Sequence, residues 1–303
     1  MIISASRRTD IPAFYGEWFT RRLRDGFVVI PNPFNAYRFS IQSLHPADVE
    51  AIVFWSKNPL PFFTYLPEID RLGFDKRYLF HLTLNPYHQT VFEPRLPTLS
   101  ERVNTFFKLA DKIGEKRIIW RYDPIIFCRG NLHFDLSFHK QAFFRLTKLL
   151  HPFTKKVVVS FLDFYKKNQR VFKTLRKQYG IDIFEPDLKE IDDLTKNIKE
   201  IASCYGLEVF GCCEKNEFSK IMKKNGIKPG RCIHFHDIEA ALPEVKIPNK
   251  LRKKDPGQRV NCGCTMSKDI GAYHTCWYRC GYCYATDFHR YKNNLNLDLP
   301  HLQ

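Results

Sequence analysis

The chain has no run of 18 or more apolar residues, and its start, MIISASRRTD, places Arg7 and Arg8 where a secretory leader would carry its apolar core. These absences lead us to expect a cytoplasmic protein without a membrane partner. No G-x-x-x-x-G-K-[ST] phosphate loop, G-x-G-x-x-G dinucleotide turn or G-x-S-x-G nucleophile turn occurs, so the chemistries those turns serve drop out. Internal repeats and low-complexity tracts are also missing. Acidic residues are scarce: 32 Asp+Glu stand against 48 Lys+Arg, a formal net charge of +16 that would attract a polyanion such as nucleic acid. The basic runs RRLR (21–24), KKNQR (166–170), KTLRKQ (173–178) and LRKK (251–254) are dispersed, a pattern that suits ordinary solvated helix faces as well as a nucleic-acid surface.

What is present is enough for a large core, since 44% of the 303 residues are hydrophobic and 15% aromatic. Short β-branched and aromatic runs recur as candidate buried strands: MIISAS, FVVI (27–30), AIVFWS (51–56), YLFHLTL (78–84), RIIWRY (117–122), KVVVSFL (156–162) and LEVFG (207–211). Helical patterns lie between several of them at 99–114, 139–150 and 188–206; the first opens on a Thr/Ser cap signal and the outer two end at Gly114 and Gly206. This alternation predicts an α/β protein, a TIM-like (β/α) barrel, partial or full, with an open doubly wound sheet as the competing topology. The barrel is favoured because polar clusters follow nearly every strand and put Asp10, Lys57, Arg121, Asp123 and Asp163 at strand ends, where barrels gather their chemistry. We expect a barrel body over 1–245, a cysteine-rich segment over 246–290 packed on its mouth within the same domain, and a tail over 291–303.

Ten cysteines could mean disulfides, but six of them crowd between Cys232 and Cys283 and no export signal precedes them, so reduced thiolates on a metal fit better. Cys128 and Cys204 stand apart and read as small buried apolar residues. Cys276, Cys280 and Cys283 form C-x3-C-x2-C, an uneven loop that can wrap three corners of a cubane and leave the fourth iron free of protein. Structural zinc would prefer paired knuckles totalling four ligands. A second set combines Cys212 or Cys213 with Cys232, Cys262 and Cys264; four thiolates would close an auxiliary iron–sulfur cluster or a structural zinc. His234, His236 and His274 lie near these ligands in sequence and read as competing ligands or as solvated side chains. By location, Arg7, Arg8, Lys57 and Arg121 could supply cationic neighbours to a cluster, with Asp10, Asp123 and Asp163 orienting them or binding substrate.

The stretch CWYRCGYCYA resembles the radical S-adenosylmethionine (SAM) superfamily motif C-x3-C-x-aromatic-C, with Tyr282 at the aromatic position. More specifically, SASRRTDIPAFY, VFWSKNP, WRYDPI, SFLDFY and QRVNCGCTMSKDIGAYHTCWYRCGYCYA resemble the DUF1848 family over nearly the full length. The resemblance implies a 4Fe-4S cluster on Cys276, Cys280 and Cys283 with SAM on its open iron, a 5′-deoxyadenosyl radical, an electron donor such as a flavodoxin or ferredoxin, and Cys212 rather than Cys213 in the second set. Superfamily members carry this loop after the first barrel strand, so its place near the chain's end implies a circular permutation. The general layout is also similar to that of spore photoproduct lyases, which together with the charge makes nucleic acid the first substrate class, beside peptides and small molecules. The rival expectation is a zinc-stabilised, non-catalytic nucleic-acid-binding protein.

Overall fold

A run such as AIVFWS can be apolar throughout because its alternate side chains are buried on opposite faces of a sheet. Ile52 and Phe54 enter one core, whereas Ala51, Val53 and Trp55 pack into another. The structure is a computed structural model that describes residues 1–32, 35–165, 168–286 and 298–302. Its strands are β1 (Ile2–Ala5), β2 (Phe27–Asn32), β3 (Asn35–Ser43), β4 (Ala51–Ser56), β5 (Tyr78–Thr83), β6 (Ile118–Ile125), β7 (Phe127–Gly130), β8 (Lys156–Phe161), β9 (Ile181–Phe184), β10 (Glu208–Cys212), β11 (Lys228–Gly230) and β12 (Lys268–Asp269). The α-helices are α1 (Ile11–Phe14), α2 (Gly16–Asp25), α3 (Leu66–Ile69), α4 (Leu99–Ile113), α5 (Leu136–Leu150), α6 (Gln169–Tyr179), α7 (Leu188–Cys204), α8 (Asn216–Lys224) and α9 (Phe235–Ala241).

Eight strands form one sheet in the order β11-β10-β8-β6-β5-β4-β1-β12, and each neighbouring pair is parallel. Helices α2, α4, α5, α7 and α8 bury their apolar stripes on one face of it, through residues such as Trp18, Phe106, Phe143, Ile198 and Phe218. A doubly wound sheet would distribute its crossover helices over both faces, so that topology is not adopted. The opposite face is covered at its N-terminal end by Ile233, Ile238, Leu242, Ile247 and Leu251, from α9 and its flanks.

Three expectations are corrected. A closed barrel is not found: β11 and β12 are the sheet's edges and are not bonded to each other among the described residues, and at three and two residues they offer little backbone for a seam. FVVI does not join the main sheet; it pairs antiparallel with β3 in a separate ladder, as β7 does with β9. Cys204 is exposed rather than buried, because the apolar stripe of α7 runs through Ile191, Leu194, Ile198 and Ala202 and the helix's last residue falls beside it. Cys128 is buried as expected.

Of the tail, residues 298–302 return to the body: Trp18 Nε1 donates to Leu299 O at 3.0 Å, and Leu302 enters the core beside α2. Residues 291–297 and 303 of the expected tail, and Lys166 and Lys167 of the basic run KKNQR, lie outside the described residues. No helix among the described residues is long and apolar enough to cross a membrane.

The period-two alternation matters most on the face opposite the long helices. There Ile2, Val53, Leu79, Ile119 and Val158 are apolar toward the N-terminal ends of their strands. The same parity places Ser4, Trp55, His81, Arg121, Asp123 and Ser160 at the C-terminal ends.

Candidate functional site

Two cysteine sets meet this polar end. Asp269 of β12 accepts from Ser4 Oγ (2.9 Å), Ser6 Oγ (2.7 Å) and the Arg7 amide (2.8 Å), so one carboxylate joins β12 to the end of β1. The loop that follows is thereby laid across the neighbouring strand ends: Tyr284 donates to Arg7 O at 3.1 Å, Lys57 Nζ donates to the Tyr282 hydroxyl at 2.7 Å, and Tyr15 donates to Thr275 O. The loop takes left-handed backbone at His274 (φ 66°) and Arg279 (φ 50°). At Gly281 it passes so near the 91–92 backbone that a Cβ would stand 2.7 Å from Val91 O.

Cys276, Cys280 and Cys283 sit in this loop against a core that includes Tyr87, Phe92 and Tyr278. Burial raises the Cys276 thiol well above its ordinary range, and Cys280, Asp10 and Cys283 add to the rise. Cys280 is pushed up to about 12 by burial, against the pull of Lys57. The three sulfurs thus act on one another in a dry place, where thiolates require compensating positive charge such as that of a metal.

The expected strand-end residues do different things here. Asp10 caps α1 by accepting from the Ala13 amide at 3.0 Å, and its other oxygen accepts from the Lys57 amide at 2.7 Å. Burial pushes its pKa up to about 6 against hydrogen bonds from the Lys57 amide, Ser56 and the Ala13 amide. Lys57 Nζ also lies 2.7 Å from Glu93, which accepts from Tyr282 at 2.6 Å and from Arg102 at 3.1 Å. Arg8 turns to Gly271 O (3.3 Å) and the Tyr273 ring. Asp163 accepts from Tyr165 (2.9 Å) and Arg259 (2.7 Å). Arg121 pairs with Asp123, which also accepts from Ser160.

The second set is assembled from β10, the turn after β11 and the segment leading to β12. Cys212 and Cys232 have their sulfurs 2.8 Å apart. Cys232 also acts on Cys264, and Cys262 on both Cys264 and Cys213, through their thiols. Cys213, in left-handed backbone at φ 52°, therefore joins Cys212 in one group of five thiols. Hydrogen bonds from Cys212 and Cys264 hold Cys232 well below the thiol range despite its burial, with help from Arg121. Arg121 Nη1 lies 3.2 Å from Cys232 Sγ, and the guanidinium groups of Arg7 and Arg121 lie 5.0 and 5.1 Å from the Trp55 ring centre. His234 contacts Arg231 at 2.6 Å, and the His274 amide donates to Ala285 O at 2.9 Å, within the loop.

Among the described residues, no group of three or more His, Cys, Asp or Glu side chains is arranged to hold a metal ion. In a polynuclear cluster each thiolate binds a different iron, so its ligands stand farther apart than those of one ion. Both places offer thiols with Lys or Arg beside them, the donor chemistry of such a cluster, but loading the second would have to part Cys212 and Cys232, whose sulfurs stand 2.8 Å apart.

The family model for DUF1848, a domain of unknown function, matches residues 2–285. The chain belongs to the DUF1848 family. No curated protein matches it. Within this DUF1848 chain, sequence reasoning passed over Glu93, Arg102, His81 and Asp269. Of these only His81 carried a readable signal, as a polar residue interrupting the apolar strand YLFHLTL.

Proposed function

We propose that this DUF1848 protein is a radical SAM-type enzyme with two iron–sulfur sites in a partial (β/α) barrel. Cys276, Cys280 and Cys283 hold the SAM-binding cluster; Cys212, Cys232, Cys262 and Cys264 hold the auxiliary one. The observation that carries the reading is the place of β12. In chain order the sheet strands run β1, β4, β5, β6, β8, β10, β11, β12, yet β12 lies beside β1. Spatially it is the first strand, and the C-x3-C-x2-C loop follows it directly, as a permuted radical SAM barrel requires.

When bound and reduced, a 4Fe-4S cluster on the first set would supply the electron that splits SAM into methionine and a 5′-deoxyadenosyl radical. The chain's own residues prepare that site. Lys57 places an ammonium beside Cys280 and ties Tyr282 to Glu93, which fixes the aromatic residue of the motif. Asp10 joins the end of β4 to α1, so the loop rests on a rigid wall. Arg8, anchored at β12, is the cation for the SAM carboxylate, while the Arg7 guanidinium is turned toward Cys264 and Cys232 of the second set. Arg121 and Asp123 face the substrate space, with Asp163 at its rim. The net charge supports a polyanionic substrate such as nucleic acid, and a flavodoxin or ferredoxin supplies the electron.

The test is anaerobic purification followed by reduction in the presence of SAM. The protein should be brown and should release 5′-deoxyadenosine; Cys283→Ala should abolish that release, whereas Cys264→Ala should leave the first cluster's spectrum intact. A colourless, zinc-loaded protein that stays inert toward SAM after reconstitution with iron and sulfide overturns the reading in favour of a zinc-stabilised nucleic-acid-binding protein.

A further inference from the structure

We infer that Arg7, His81 and Arg121 form a cradle of hydrogen-bond donors for an iron–sulfur cluster at the second thiol set, with Arg7 and His81 serving its inorganic sulfides. The inference deepens the proposed function and rests on its reading of that set as a metal centre.

His81 on β5 stands opposite Trp55 on β4 in the parallel register, and their rings stack with centres 4.4 Å apart and planes 12° from parallel. Trp55 in turn carries the guanidinium groups of Arg7 and Arg121, and its own Nε1 donates to Ser4 Oγ at 3.0 Å. The three donors are therefore fixed around one aromatic plate. All three act electrostatically on the same thiols: Arg7 on Cys264 and Cys232, His81 on Cys232, and Arg121 on Cys232 and Cys212.

A donor count distinguishes the possible metal centres. Arg121 is satisfied by Asp123 and the Cys232 sulfur. His81 is 1% exposed, and among the described residues neither of its ring nitrogens meets a hydrogen-bond partner; neither does Arg7 Nη2. Either tautomer of the neutral ring presents one N–H. Donors in dry surroundings are rarely left unmet, so these two point to acceptors that the described residues do not supply. A zinc ion enclosed by four thiolates brings no acceptor of its own. An iron–sulfur cluster brings sulfide corners, and hydrogen bonds to its sulfurs help to set its reduction potential.

Donors that neutralise charge on the cluster favour its reduced form, so their loss should move the potential to more negative values. The full chain carrying Cys283→Ala, which isolates the second set, is reconstituted anaerobically, assayed for iron, acid-labile sulfide and zinc, and titrated against potential by electron paramagnetic resonance. The expected result is retained iron and sulfide, with the midpoint shifted to more negative potential when His81→Phe or Arg7→Gln is added. His81→Gln, which keeps a donor, should shift it less. Should His81→Phe not fold, Arg7→Gln carries the test. Zinc without sulfide, or an unchanged midpoint in the folded variants, overturns the inference. A wild-type protein that cleaves no SAM while the shift is seen removes the function assigned to the first set and leaves this cradle standing.

Discussion

Glu93 has no exposed side-chain surface, yet it is a charged group between Lys57 and Arg102. Burial would raise its pKa, but Lys57 and then Arg102 overcome that and hold it below the usual carboxylate value. Glu93→Gln leaves both cations without their counter-ion and should destabilise the fold by about 3–5 kcal/mol, whereas Tyr282→Phe removes the hydroxyl's two charge-assisted hydrogen bonds, from Lys57 and to Glu93, but leaves both ion pairs of Glu93 in place and should cost less, about 2 kcal/mol. Urea midpoints compare the two; equal losses would refute Glu93 as the centre of the network. The sequence did not reveal it, because VFEPRLP has no period and its partners are 36 and 9 positions away. His139 is a second buried titratable group, remote from both cysteine sets in the sequence. Its Nε2 lies 2.9 Å from Ile126 O and its Nδ1 2.9 Å from the Tyr122 hydroxyl, an arrangement that satisfies the neutral ring. Burial lowers its pKa from 6.5 to about 4. The unfolded chain therefore takes up the proton first as the pH falls, and the folded state should lose about 3 kcal/mol between those two values. Unfolding at about pH 7 and pH 4.5 checks this, because the loss attributable to His139 must vanish in His139→Phe.

At the scale of elements, the long apolar and amphipathic segments were legible. AIVFWS is β4 residue for residue, and Thr98 caps α4 through a reciprocal bond with Glu101, as the cap signal indicated. The edge strands were not legible. Lys268–Asp269 is polar and two residues long; it is a strand only because β1 offers it a free edge and Asp269 finds Ser4, Ser6 and the Arg7 amide there. The cysteine spacing was visible, but the close packing beneath the loop was not. Gly281 donates its amide to Phe92 O at 3.1 Å, and a Cβ there would meet the Val91 carbonyl, a backbone atom that cannot rotate away. Gly281→Ala should lift the loop off the 91–92 segment. Iron retained after anaerobic reconstitution should fall by about half, with the second set still loaded. Full retention of both would show that the loop holds its cluster without that contact.

For the whole molecule, the alternation of strand and helix revealed an α/β fold, but not which edge the last strand would take, because that depends on a pairing between the two ends of the chain. Charge presents a similar contrast between chain and structure. The run RRLR reads as basic, yet Arg21, Arg22 and Arg24 pair with Asp298, Asp25 and Glu68; Arg176 and Arg252, from two other runs, pair with Asp182 and Glu239. These pairs leave the net +16 unchanged but occupy part of the 48 Lys+Arg, and a nucleic-acid surface must be built from the basic residues that are not so paired. If about four phosphates of a single strand are neutralised, binding should weaken with a log–log salt slope of about −3, or roughly 50-fold between 50 and 200 mM salt. Fluorescence anisotropy with a labelled single-stranded DNA measures that slope directly. No binding at low salt, or binding indifferent to salt, would remove nucleic acid as the substrate class and direct the search to small molecules that fit between Trp55, Arg121 and Asp123.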